Sequence, residues 1–354
     1  MPSLRSTVES VAIRVAMGLP EQVQRVLLRR PVVVDGLALA TELQLMLRLR
    51  DLVRRPESQE LPVEQGRDEL VEESALVGGR QPVGAVRDLS VDGQTGPLAA
   101  RLYIPSSRLG AEPAPTLMFL HGGGWVYGDL DSHDAVCRFL AEQSGVQVLA
   151  VDYRRAPEDA FPAAAEDAIA AYRWLVAHAQ DVDADPARLA VGGDSAGGNL
   201  SAVVAIAAAR EGLPLTFQLL VYPATDFSRR TRSRDLFGHG FFLTDEFMDQ
   251  CTDWYVPNVA DRTDPRASPL LESDLPAGIA PAHVVTAGFD PLRDEGEAYA
   301  DLLAEHGVEV TRVRYASMIH GFFNIVGVGR EATAYNREIA GVLRDALQRQ
   351  GERH

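Results

Sequence analysis

A serine, an aspartate and a histidine each stand just past an apolar run in this chain, and together these types can make and break an acyl bond. Ser195 lies in Gly193-Asp194-Ser195-Ala196-Gly197, directly after Arg188-Leu189-Ala190-Val191-Gly192 and before a long alanine-rich segment. A serine hydroxyl is a weak nucleophile until it is exposed on a sharp turn, beside a base, with amide donors behind it. A joint between strand and helix supplies that turn, and flanking glycines let backbones approach closely. The pentapeptide alone is a weak signal, because a glycine-rich chain of this length produces it by accident. The rest of the chain must supply a base, an acid and an oxyanion site.

Of eight histidines, His320 is the best base. It lies in Ser317-Met318-Ile319-His320-Gly321-Phe322, a few residues past the last apolar strand pattern, and sites in open parallel sheets form beyond the carboxyl ends of strands. His178 and His306 close helical segments, where a dipole role suffices, and His283 lies within a strand. The orienting acid should follow another strand. Asp290 does so in Gly288-Phe289-Asp290-Pro291-Leu292-Arg293-Asp294-Glu295-Gly296. Asp294, in the first turn of the next helix, is the alternative acid, and a helix cap before Pro291 is the alternative role for Asp290. The order Ser195, Asp290, His320 is that of the α/β-hydrolase triad.

An oxyanion site should follow the third strand, where the chain reads His121-Gly122-Gly123-Gly124-Trp125. The amides of Gly122, Gly123 and Ala196 are the expected donors, the last at a helix N-terminus. A rival reading takes Gly122, Gly124 and Gly128, with Asp152 closing the next strand, as a dinucleotide fingerprint. That reading leaves Ser195, Asp290 and His320 at three other strand ends unexplained.

The composition narrows the chemistry. The 34 basic residues are all arginine, so a lysine base, a Schiff-base lysine and a phosphate-loop lysine are excluded. A formal net charge of −16 favours solubility and disfavours nucleic acid and anionic membrane surfaces. Two cysteines, Cys137 and Cys251, make no disulfide framework and no thiolate metal site, which points to a reducing, cytoplasmic compartment. Arg5 and Arg14 bracket a stretch broken by Glu9, which does not read as a signal peptide. The longest apolar run, around 202–209, is too short to span a bilayer. No metal and no cofactor are expected.

The elements that must position these residues are legible. Helical spacing runs through Val23–Leu28 and Leu43–Leu49 within residues 1–55, and 56–83 reads as a polar, glutamate-rich connector. From residue 84 short strands begin at Ala85, Ala99, Thr116, Val146, Arg188, Phe217, Ala282 and Val310. The last six alternate with helical or irregular segments and have apolar cores, which predicts a parallel sheet covered on both faces. About sixty residues separate Tyr222 from Ala282, and Phe237, Phe241, Phe242, Leu243, Phe247, Trp254 and Tyr255 fall there. A connection this long in an α/β domain reads as a lid acting with the N-terminal helices. Trp125, Tyr127, Phe242 and Leu243 are the candidate substrate-binding residues.

His121-Gly122-Gly123-Gly124-Trp125, Asp152-Tyr153-Arg154 through Phe161-Pro162-Ala163, Gly193-Asp194-Ser195-Ala196-Gly197-Gly198, Asp290 through Gly296 and His320-Gly321-Phe322 together resemble the bacterial hormone-sensitive-lipase-like esterases, family IV of the lipolytic enzymes. The resemblance covers roughly residues 85–350 and is to the branch with aspartate before the serine. It implies an α/β-hydrolase fold, with an eight-stranded, mostly parallel central sheet, helices on both faces and a helical cap. The catalytic domain would be 84–224 and 269–354. The cap would come from 1–55 and 225–268, the segment Asp264 through Leu270 resembling the family's return from cap to sheet. The implied activity is hydrolysis of short- to medium-chain carboxylic esters by Ser195, Asp290 and His320, with a homodimer plausible. An amidase or peptidase on the same triad, and a non-catalytic small-molecule receptor on this fold, stay open at this point.

Overall fold

The structure, a computed structural model, describes residues 12–28, 30–53, 57–110 and 113–348. The stretch holding Arg5 and Glu9 lies outside the described residues. Helix α1 runs through 12–18, followed by α2 (Glu21–Leu28), a short hairpin of β1 (Val33–Val34) and β2 (Leu37–Ala38), and α3 (Thr41–Val53). The segment expected as a polar connector is mostly a helix, α4 (Val63–Gly78). Its apolar residues are thinly spaced among glutamates, so its periodicity is faint in the sequence.

The central sheet holds eight strands. They are β3 (Ala85–Asp92), β4 (Pro97–Ile104), β5 (Ala114–Leu120), β6 (Gln147–Val151), β7 (Ala184–Asp194), β8 (Phe217–Val221), β9 (Ala282–Phe289) and β10 (Val310–Ile319). Their spatial order is β10-β9-β8-β7-β5-β6-β4-β3. The pairs from β10 to β6 are parallel, and β4 pairs antiparallel with both β6 and β3. The expected eight-stranded, mostly parallel sheet is therefore present.

Each parallel strand before β10 is followed by a crossover, because parallel neighbours need one. The helices are α5 (Asp134–Ser144), α6 (Ala163–Ala177), α7 (Ala196–Glu211), α8 (Arg232–Phe237), α9 (Asp245–Tyr255), α10 (Arg293–Glu305) and α11 (Glu331–Gln348). They cover both faces, so β5, β6, β8 and β9 are buried at every residue. One core joins Phe119, Phe139, Leu219, Ile339 and Leu343 beneath α5 and α11. The opposite core joins Met118, Leu149, Leu175, Val191 and Leu200 beneath α6 and α7.

The N-terminal elements dock on this body at specific points. Glu42 of α3 caps the start of α11, accepting the amides of Arg330 at 2.8 Å and Glu331 at 3.0 Å. Arg67 of α4 donates to the carbonyls of Val126 at 2.8 Å and Ala156 at 3.0 Å. Among the described residues no helix is long and apolar enough to cross a membrane.

Candidate active site

Ser195 sits at the joint of β7 and α7 with φ 56° and ψ −116°, a conformation that costs a non-glycine residue about 1–3 kcal/mol. The surroundings enforce it. The Ser195 amide donates to Val221 O at 2.9 Å, and α7 presses onto the end of β5. A β-carbon at Gly197 would fall 1.8 Å from Leu120 O, and one at Gly193 2.2 Å from the same oxygen. Only glycine at both positions lets helix and strand approach so closely, and that approach turns the Ser195 hydroxyl outward.

The turn after β10 carries His320 to that hydroxyl. His320 Nε2 lies 3.0 Å from Ser195 Oγ, and Nδ1 lies 2.8 Å from Asp290 Oδ2. Asp290 stands one residue past β9 and is fully buried. Its Oδ1 accepts the Leu292 amide at 2.8 Å, so both oxygens are engaged and the carboxylate is held in one orientation. Asp294, the alternative acid, is elsewhere: it accepts the Ser233 amide at 2.7 Å and pairs with Arg293 at 2.9 Å. His178 and His306 bond the carbonyls one turn back, Trp174 O and Leu302 O, and His283 bonds Thr311 Oγ1 within the sheet. The geometry thus brings Ser195, His320 and Asp290 together.

The glycine loop needs a correction. The Gly122 amide is not directed at Ser195. It donates to Asp194 Oδ1 at 2.9 Å and lies 3.3 Å from His133 Nε2. Gly123 at φ +112° and Gly124 at φ +63° turn the chain toward the cavity, and both line it beside Ser195. Among the described residues no acceptor takes the amides of Gly123, Gly124 or Ala196. Gly123 and Gly124 line the cavity with Ser195, whereas the Gly122 amide is taken up by Asp194. The dinucleotide reading falls on the same ground. A β-carbon at Gly128 would lie 1.8 Å from Gly122 O, one at Gly122 2.6 Å from Asp194 Oδ2 and one at Gly124 2.5 Å from Cys251 Sγ, so these glycines serve close packing within the protein.

Asp194 is a further residue of the site, tied to both the glycine loop and His133. Besides Gly122 it holds His133 Nε2 at 3.2 Å, and its Oδ2 accepts from Tyr222 at 3.3 Å and Asn324 at 3.4 Å. Burial pushes its carboxyl pKa upward, but His133, the Gly122 amide and His320 outweigh that and hold it below the ordinary value. Its place beside the serine was visible in the sequence. His133, some sixty residues away, carried no local signal.

A cavity of about 250 Å³ opens over Ser195. Tyr127, Phe242 and Leu243 line it, with Met46 and Leu47 of α3 and Leu70 and Val77 of α4. So the presumed connector is a wall of the site. Trp125 is placed differently. It stacks on Tyr255 with centroids 4.7 Å apart and lines a smaller, more polar cavity of about 100 Å³ on which Ser195 also opens. Among the described residues no group of three or more His, Cys, Asp or Glu side chains is placed to hold a metal ion.

Comparisons with known proteins agree with this geometry. A family model described as the alpha/beta hydrolase fold matches residues 117–324. The chain is similar to the carboxylic ester hydrolase LipN of Mycobacterium tuberculosis, 43% identical over 367 residues that cover 98% of this chain and 93% of that protein. It is similar to the ethyl acetate hydrolase of Pseudomonas putida, 41% identical over 278 residues, 77% of this chain and 86% of that one. Among solved structures, a thermostable esterase from Pseudomonas putida matches with a TM-score of 0.83 at 35% identity, covering 90% of this chain and 99% of the other. An alpha/beta hydrolase from the metagenome of Lake Arreo matches with a TM-score of 0.82 at 43% identity, covering 86% and 96%.

Proposed function

The chain belongs to the hormone-sensitive-lipase-like family of α/β hydrolases and is a carboxylic ester hydrolase, and from that premise we propose that Ser195, His320 and Asp290 are its catalytic triad. The carrying observation is the unbroken chain of contacts from Ser195 Oγ to His320 to Asp290, at 3.0 and 2.8 Å. His320 Nε2 takes the hydroxyl proton as Oγ attacks the ester carbonyl, while Asp290 holds Nδ1–H and stabilises the imidazolium. The amides of Gly123, Gly124 and Ala196 receive the developing oxyanion. His320 then returns the proton to the leaving alcohol, and water repeats the cycle on the acyl-enzyme.

The substrates we propose are small esters with short- to medium-chain acyl groups, seated in the cavity under Phe242 and Leu243. The same chain as a non-catalytic receptor would have no use for a histidine in hydrogen-bond contact with the serine. A cytoplasmic location is supported by two unpaired, buried cysteines, Cys137 and Cys251. A homodimer is proposed with it, β10 being an edge strand of the sheet, and sedimentation-velocity ultracentrifugation decides that point.

The central test is Ser195→Ala. It should lower turnover of p-nitrophenyl butyrate by at least about 10⁴-fold and abolish labelling by a fluorophosphonate. Wild-type turnover in the variant would overturn the assignment.

A further inference from the structure

Phe242 is the most conspicuous side chain near the site that the mechanism does not use. It lies in the loop between α8 and α9 with φ +82°, a rare conformation for a bulky residue. Backbone strain of this kind persists only where the surroundings over-determine it, and it gathers at ligand clamps and switches.

Two groups over-determine it here. On one side its ring lies against Gly321, the residue after His320. A β-carbon at Gly321 would fall 2.9 Å from Phe242 Cε1, so only glycine leaves room for the ring. On the other side the Arg50 guanidinium stands over the ring, 4.9 Å from its centroid. Arg50 belongs to α3, and it is itself held by Glu57 at 2.7 Å and by Glu73 of α4 at 3.6 Å. The ring is thus layered between the turn that carries the base and an ion-paired arginine of the N-terminal helices. Phe242, Arg50, Glu57 and Glu73 all line the cavity that contains Ser195.

Building on the esterase reading, we propose that Phe242 is the residue that sets acyl-chain length, and that Arg50 is a positioning residue that keeps its ring in place. With the ring held, its bulk takes up part of the cavity that Ser195 shares with the apolar walls of α3 and α4, Met46, Leu47, Leu70 and Val77. With the ring removed or released, a longer acyl chain gains room against those walls. Arg50 acts only through the ring. Its guanidinium needs the two glutamates to stay over Phe242, because an unpaired charge in an apolar cavity would turn to solvent.

The test is a p-nitrophenyl ester series from acetate to decanoate on the full chain, wild type against four variants. Phe242→Gly, which also relieves the strained φ, should raise the decanoate-to-butyrate ratio of kcat/KM by about 10-fold, the worth of one to two further buried methylenes. The gain should appear as a lower KM for decanoate, with kcat for butyrate changed far less. Phe242→Leu should give a smaller rise in the same direction. Arg50→Met should raise the ratio about 3-fold, a typical loss for one cation–π contact. Arg50→Lys, which keeps a cation over the ring, should restore the wild-type profile. An unchanged ratio in Phe242→Gly, or equal losses on both esters, would overturn the proposal. If Phe242→Gly fails to fold, Arg50→Met decides alone by the same ratio. A wild-type protein that hydrolyses no ester in the series would instead sink the esterase reading.

Discussion

Asp194 Oδ1 accepts the Gly122 amide at 2.9 Å, so the residue before the nucleophile holds the first glycine of the loop that faces it. The nucleophile turn and the oxyanion loop are thereby one unit, stapled by a buried carboxylate that His133 also contacts at 3.2 Å. Asp194→Ala leaves the Gly122 amide and His133 without their partner in a buried place. The expected result is a fall in kcat of about 10²-fold with little change in KM, as for loss of one oxyanion donor. Asp194→Asn keeps an acceptor for Gly122 and should lose less. Steady-state kinetics with the fluorophosphonate labelling rate of Ser195 checks both.

Asp290→Asn preserves volume but lets the side chain present an amide to His320 Nδ1, which selects the wrong ring tautomer. Turnover of p-nitrophenyl butyrate should fall by about 10⁴-fold while the folded structure persists. Circular dichroism beside the kinetics separates the two effects. A loss under tenfold would remove Asp290 from the mechanism.

Gly124→Ala should damage the oxyanion loop without touching the triad. A β-carbon there would lie 2.5 Å from Cys251 Sγ and 3.0 Å from Cys251 Cβ, at φ +63°. We expect kcat to drop by about 10²–10³-fold. A second substitution, Cys251→Ala, removes only the sulfur clash and should restore part of the loss. The double variant's kcat against the single one's reads the outcome.

Glu42→Ala removes the acceptor for the amides of Arg330 and Glu331, the uncapped start of α11. The loss should be about 1–3 kcal/mol of unfolding free energy, from urea denaturation. Because the cap comes from α3, the same variant should loosen the N-terminal helices that wall the cavity. Limited proteolysis should therefore cut within 12–53 sooner than in wild type.

Glu295 gives a dependence on pH. Burial pushes its carboxyl pKa up to about 8 from an ordinary 4.5, against the pull of the Thr225 amide at 2.7 Å. Between those values the folded chain keeps a proton that the unfolded chain has released. Stability from this group is full below the unfolded value and is lost as pH rises through the folded one. The slope is at most about 1.4 kcal/mol per pH unit. Thermal unfolding of Glu295→Gln should therefore gain on wild type from pH 5 to about pH 8 and level off above that. A constant difference between the two would show that Glu295 is ionised in the folded state.

Much of this was legible before any coordinates. The strands from Ala85 to Val310 each lie within a few residues of the expected segment, because apolar runs bounded by polar turns are a local property. The meeting of Ser195, Asp290 and His320 was legible for a related reason: each follows a strand, and strand ends in a parallel sheet converge. The helix at Val63–Gly78 was not, since glutamates dilute its apolar face and its identity comes from what it packs against. The stacking of Trp125 on Tyr255 beside a second, smaller cavity was not legible either, because it depends on where α9 packs.

The sequence by itself therefore determined the order of the elements and which strand ends carry Ser195, Asp290 and His320. Those follow from short-range periodicity and from the residue types that chemistry requires. Only the tertiary structure decided that the Gly122 amide is claimed by Asp194 from another strand end. It likewise decided that Arg50 of one helix stands over Phe242 of a distant loop. Contacts between residues far apart in the chain are settled by register and packing, and no local pattern records them.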